Sequence, residues 1–173
     1  RLLYLPTYFA PEHAASSYLV MNRVEAFANA GFIGDAVPTP TRGVTKEVRE
    51  NYKRNKTKEM MFNNKVYVHR FPLYGEGQNP ILRALAMIVL WNELYYGLKA
   101  KNCDVIFAPS TPPIQGVMVA IIKKFKHILL YNLQDIFPDS LVGTSLAQKG
   151  GLLWKIGRVI ENFTYKHADK IIV

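Results

Sequence analysis

One cysteine, Cys103, in 173 residues excludes an internal disulfide and any cysteine-built metal cluster. The four histidines, at positions 13, 69, 127 and 167, are scattered and show no H-E-x-x-H spacing, so the sequence predicts no metal site. Glycine-rich phosphate loops are missing as well. No G-x-G-x-x-G follows the first apolar run and no G-x-x-x-x-G-K-[ST] occurs anywhere, which disfavours a dinucleotide oxidoreductase and a P-loop nucleotidase. The absence of G-x-S-x-G argues against an α/β-hydrolase. The longest apolar run, 81–91, contains Arg83 and falls short of the roughly 20 residues a spanning helix needs. The stretch at Leu2 to Leu5 is too short for a signal peptide and runs into Pro6. Acids are scarce: 13 Asp and Glu against 22 Lys and Arg leave a net charge of +9, which favours an anionic partner without choosing among phosphates, nucleic acid and lipid headgroups.

What is present reads as a folded α/β chain. A hydrophobic fraction of 49% with 20% charged residues suits one globular domain spanning 1–173. Short apolar runs bounded by Pro, Gly or Asp recur: "LLYLP", "GDAVPTP", "KVYVHRF", "DVIFAPS", "HILLYNL" and "KIIV". Longer stretches of helical periodicity lie between most of them, the pattern of a parallel sheet with crossover helices on both faces, a Rossmann-like fold. The spacing predicts a first helix from Ser16 or Ser17 to Ala30, stopped by Gly31, with Leu19, Val20, Val24 and Phe27 as its apolar stripe. Further helices are expected over 81–101, over 114–124 carrying Val117, Ile121 and Ile122, and over 152–167 with Leu153, Ile156, Ile160 and Phe163 as the buried stripe. The basic stretch 41–64 reads as an exposed loop plus a short helix.

In an open α/β sheet, ligands collect beyond the carboxyl ends of the strands. The strand-end loops here are "PTYFAPEHAASS", "PTPTRG", "PSTPP" and "QDIFPDS", all carrying polar groups. The first leads into a helix N-terminus, which favours a phosphate or carboxylate, or serves only as a capping sequence. In "LLYNLQDIFPDS" a buried strand delivers Asn132, Gln134, Asp135 and Asp139 to a rim.

Four segments, "LLYLPTYFAPEHAASSYLVMNRVEAFANAGF", "DVIFAPSTPP", "YNLQDIFPDS" and "RVIENFTYKHADKIIV", together resemble the N-terminal half of a glycosyltransferase family 4 enzyme. The branch resembled builds bacterial capsule, O-antigen and other surface polysaccharides and includes N-acetyl-L-fucosamine transferase-like proteins. The resemblance implies the GT-B arrangement of two Rossmann-like domains facing a cleft. The domain present would bind mainly the acceptor, a saccharide or a lipid-diphosphate-linked one; the absent half, with its E-x7-E carboxylates, would hold the nucleotide-sugar donor. This chain alone should then not transfer sugar. Retention of configuration is implied, with no metal and no cofactor. Carried onto this chain, Asp135 is the catalytic candidate that orients the acceptor hydroxyl, with Gln134 and Glu12 positioning sugar hydroxyls and His13, Ala14, Ala15, Ser16, Ser110 and Thr111 completing the substrate-binding set. The plain alternative is that Asp135 caps the turn formed with Pro138. Two departures stand out: Ala14 and Ala15 occupy the place of a Gly-Gly pair, and Gln134 precedes Asp135 where many relatives have His.

Location follows from the same likeness: the cytoplasmic side of the bacterial inner membrane. Peripheral contact with anionic lipid is expected through the bases between 42 and 58 or through 81–101, where Trp91, Tyr95 and Tyr96 sit beside Lys99 and Lys101. That helix equally suits burial between sheet and neighbours. Specific nucleic-acid binding is not expected, because the bases are not interleaved with aromatics in a recognition motif. The competing class is a non-catalytic saccharide- or anion-binding domain.

Overall fold

Apolar runs and helical segments alternate in the computed structural model as the sequence predicts, and every strand pairing described below is parallel except one. The structure describes residues 1–6, 8–11, 17–36, 45–54, 59–69, 103–111, 113–123, 126–143, 145 and 147–173. The expected helix over 81–101, the loop residues Glu12 to Ser16 and residues 41–44 and 55–58 of the basic stretch lie outside that set. In chain order the elements are β1 (Leu2–Tyr4), α1 (Ser17–Asn29), β2 (Gly34–Ala36), α2 (Lys46–Arg54), β3 (Glu59–Met61), β4 (Val66–Val68), β5 (Val105–Pro109), α3 (Pro113–Ile122), β6 (Ile128–Asn132), α4 (Asp139–Gly143), α5 (Leu152–His167) and β7 (Lys170–Ile172). They fall into two units, Arg1–Cys103 and Asp104–Val173. The α/β class is that expected, and the parallel pairing is consistent with a Rossmann-like arrangement.

In the first unit β2 lies between β1 and β4, parallel to both, with β3 antiparallel outside β4. Gly34 is required where β1 and β2 meet, since a Cβ there would fall 2.2 Å from the Leu2 carbonyl oxygen. α1 ends as its sequence predicts. Gly31 takes φ +88°, its N–H bonds Ala28 O at 3.1 Å, and Phe32 N–H reaches back to Phe27 O at 3.0 Å, a Schellman closure with the Phe27 and Phe32 rings 6.1 Å apart. Along α1 the buried line is Val20, Val24 and Ala28, whereas Leu19 is half exposed and Phe27 packs edge-on against Tyr4. Thr45 Oγ1 accepts from Val48 N–H at 3.3 Å and caps α2, the short helix expected in the basic stretch.

β3 was not expected. The segment Phe62, Asn63 and Asn64, all at positive φ between 52° and 63°, turns β3 back onto β4, so part of 41–64 is sheet rather than loop. The buried Asp35 of β2 takes Arg1 Nη2 at 3.0 Å and His69 Nε2 at 2.9 Å, so a carboxylate in the sheet interior has partners for both oxygens. Cys103 is buried, as a small core residue should be.

In the second unit β6 pairs in parallel with β5 on one side and β7 on the other, and α3 and α5 pack together over Tyr131. Gly116 of α3 makes this possible: a Cβ there would lie 2.7 Å from Thr164 Cγ2 and 2.9 Å from the Tyr131 ring. α5 has the predicted span but is rotated by roughly a quarter turn from the expected inward face. Its buried residues are Gly157, Glu161 and Thr164, while Leu153, Ile156 and Phe163 of the expected core stripe are exposed. Neighbouring side chains pack directly onto the backbone at Gly116 and Gly157, so the inward face is narrow and a bulkier residue has no room at either glycine. α3 likewise leaves Ile121 exposed and buries Gln115, Gly116, Met118, Val119 and Ala120.

Candidate functional site

The carboxyl ends of β5 and β6 are joined through one hydroxyl. Pro109 lies opposite Asn132 in the parallel ladder, and Ser110 N–H extends it by bonding Asn132 O at 2.9 Å. The chain after β6 then folds back: the buried Ser110 Oγ accepts from Gln134 N–H at 2.9 Å and from Asp135 N–H at 3.1 Å. Thr111 Oγ1 reaches Gln134 Oε1 at 3.4 Å. Four of the residues singled out in the sequence, Ser110, Thr111, Gln134 and Asp135, therefore share one strand-end cluster, where an α/β sheet presents ligands with polar groups. Glu12, His13, Ala14, Ala15 and Ser16 lie outside the described residues.

Asp135 has its main chain held and its side chain exposed. Its carboxylate has no hydrogen-bond partner among the described residues, so it does not cap the turn and is available to accept from a hydroxyl. The turn is secured from the other side. Phe137 and Pro138 press on Gly157 of α5, where a Cβ would stand 2.8 Å from Phe137 Cε1 and 2.7 Å from Pro138 Cβ. Ser140 N–H bonds Ile136 O at 3.0 Å as α4 begins.

One turn away, Asp139 accepts from Trp154 Nε1 at 2.8 Å and from Arg158 Nη2 at 2.6 Å, with the guanidinium lying over the indole at 4.9 Å. The Trp154 hydrogen bond, then that from Arg158, hold the Asp139 carboxyl below the usual carboxylate range. Residues 154, 157 and 158 of α5 thus fix the segment 137–139 that follows Asp135.

Glu161 was not foreseen as more than part of a motif. It is fully buried on α5, and the Tyr131 hydroxyl donates to it, 3.3 Å from Oε2 and 3.5 Å from Oε1. Burial pushes the Glu161 carboxyl up; hydrogen bonds from Tyr165 and Tyr131 and the Arg158 charge oppose that, while the Asp135 charge adds to it. Burial likewise raises both phenols, with the Glu161 charge adding to each. The signal was legible in "GRVIENFT": Gly157, Glu161 and Thr164 recur at helical spacing and mark a face that packs closely.

The cluster offers one exposed carboxylate, a side-chain amide and a threonine hydroxyl on a braced loop, a set suited to orienting hydroxyl groups. Among the described residues no group of three His, Cys, Asp or Glu is placed to hold a metal ion. Neither a protein-family model nor a curated protein matches the chain.

Proposed function

We propose that this chain is the acceptor-side, Rossmann-like half of a retaining GT-B glycosyltransferase of bacterial surface-polysaccharide assembly, moving a sugar from a nucleotide sugar to a saccharide or lipid-diphosphate-linked acceptor. The observation that carries the reading is the exposed Asp135 carboxylate on a main chain fixed by Ser110 at the joined ends of two parallel strands. In this role Asp135 accepts the hydrogen bond of the attacking acceptor hydroxyl and aims its oxygen at the anomeric carbon. Gln134 and Thr111 hold neighbouring hydroxyls. Donor binding and stabilisation of the leaving diphosphate fall to the other half and to the Glu12 to Ser16 loop. The protein works at the inner face of the cytoplasmic membrane, where lipid-linked acceptors are presented.

The test is an assay of the full-length protein against nucleotide sugars and lipid-diphosphate saccharides, with Asp135→Asn alongside. The variant should lose turnover by about 100-fold or more, the range for removing a positioned acid–base group. Unchanged turnover would take Asp135 out of the chemistry, and saccharide binding without transfer would assign the chain to the non-catalytic class.

A further inference from the structure

α5 wears its apolar residues on the outside. Leu152, Ile156, Val159 and Phe163 are 76%, 49%, 69% and 37% exposed, while the helix's one carboxylate, Glu161, is fully buried. At 3.6 residues per turn the four fall within an arc of roughly 60°, extended by Leu153, on the side away from Glu161. Lys155 and Lys166 are exposed along one border of that arc. α3, packed alongside through Gly116 and Thr164, adds exposed Ile114 and Ile121 and contains no acidic residue. The layer therefore presents a strip of large aliphatic and aromatic side chains edged by cations, without a solvent-facing carboxylate in either helix.

We infer that the α3–α5 face docks on an anionic membrane surface, with the arc around Leu152, Ile156, Val159 and Phe163 entering the headgroup boundary and Lys155 and Lys166 contacting lipid phosphates. The strip runs along the helix for about 16 Å, the length of eleven residue steps, which suits a helix lying in the interface plane. The net charge of +9 has the matching sign. A second copy is the poorer occupant. Antiparallel two-fold pairing of this face would bring the same lysines to one seam with no exposed acid on either helix to answer them. The inference does not depend on the transfer chemistry, so the two fail separately.

The test is co-sedimentation of the protein with vesicles of phosphatidylcholine and of equimolar phosphatidylcholine and phosphatidylglycerol. The native chain should pellet with the anionic vesicles and do so less at high salt. The triple variant L152S/I156S/V159S changes exposed side chains only, and far-ultraviolet circular dichroism checks its fold. It should lose partitioning by about tenfold or more, given the apolar area withdrawn. K155E/K166E should bind both vesicle types alike. Three results would overturn the inference: no binding of the native chain to either vesicle; full binding by the serine variant, which would place the contact elsewhere; or a solution dimer that the serine variant dissociates, which would make a second copy the occupant.

Discussion

Tyr131, in the middle strand of its unit, donates its phenolic hydrogen to the carboxyl of Glu161 thirty residues later, and neither side chain is exposed. A sheet residue is thereby tied to the inward face of α5.

That tie has a pH signature. In the unfolded chain Glu161 ionises near its ordinary value of about 4.3, whereas burial delays ionisation in the folded chain. Across the interval between the two values the folded state holds a proton that the unfolded state has released. The stabilising contribution is complete below the ordinary value and is lost as pH rises through the raised one. Glu161→Gln should flatten this slope in urea titrations run across pH, and Glu161→Ala should cost about 1–3 kcal/mol by stranding the phenols.

Gly157 should not tolerate a side chain. An added methyl would meet Pro138 and Phe137 at 2.7 and 2.8 Å, so Gly157→Ala is expected to destabilise by about 1–3 kcal/mol. Gly143→Ala, where nothing lies within 4 Å, is the control and should be within about 0.5 kcal/mol of the native chain in the same melt.

Ser110→Ala removes the common acceptor of two main-chain N–H groups. Amide hydrogen exchange at Gln134 and Asp135 should quicken by about tenfold, equivalent to the roughly 1.4 kcal/mol within the range of a lost hydrogen bond, while the strand interior keeps its protection. Equal acceleration throughout β6 would show instead that the hydroxyl supports the whole sheet.

Asp169 provides the opposite pH sign. Its hydrogen bond from Lys123, then that from the Leu129 N–H at 2.6 Å, hold its carboxyl below the ordinary range. Stability from this group is present above the unfolded value near 3.9 and is lost as pH falls through the folded one. Asp169→Asn should make the acid limb of the stability profile shallower.

Much of this fold was legible in the sequence because strands and helix ends are written locally. Six apolar runs became strands at the expected places, and Gly31 stopped α1 through a closure its neighbours complete. β3 escaped because its strand residues, "EMM", are too few to show alternation; the Asn63-Asn64 pair between Phe62 and Lys65 was the better clue. The inward face of α5 escaped for a different reason. Periodicity finds the apolar side of a helix, but which side faces inward here was decided by how closely the side chains of Thr164 and Tyr131 at Gly116, and of Phe137 and Pro138 at Gly157, pack onto the glycine backbone. At the strand ends the chemistry-bearing residues were visible one by one. Their gathering on the Ser110 hydroxyl was not, because it depends on the register of two strands 23 residues apart.

Every residue of β7 is exposed, so alternation of apolar and polar positions gives that strand no preferred alignment against β6. Asp169 supplies one. Its own N–H bonds Leu129 O, its carboxylate takes the Leu129 N–H, and Lys123 grips the same carboxylate while bonding His167 O. Sliding the strand by a single step would break this clasp at three places at once, so a lone acid at its threshold indexes an edge that hydrophobicity leaves undecided.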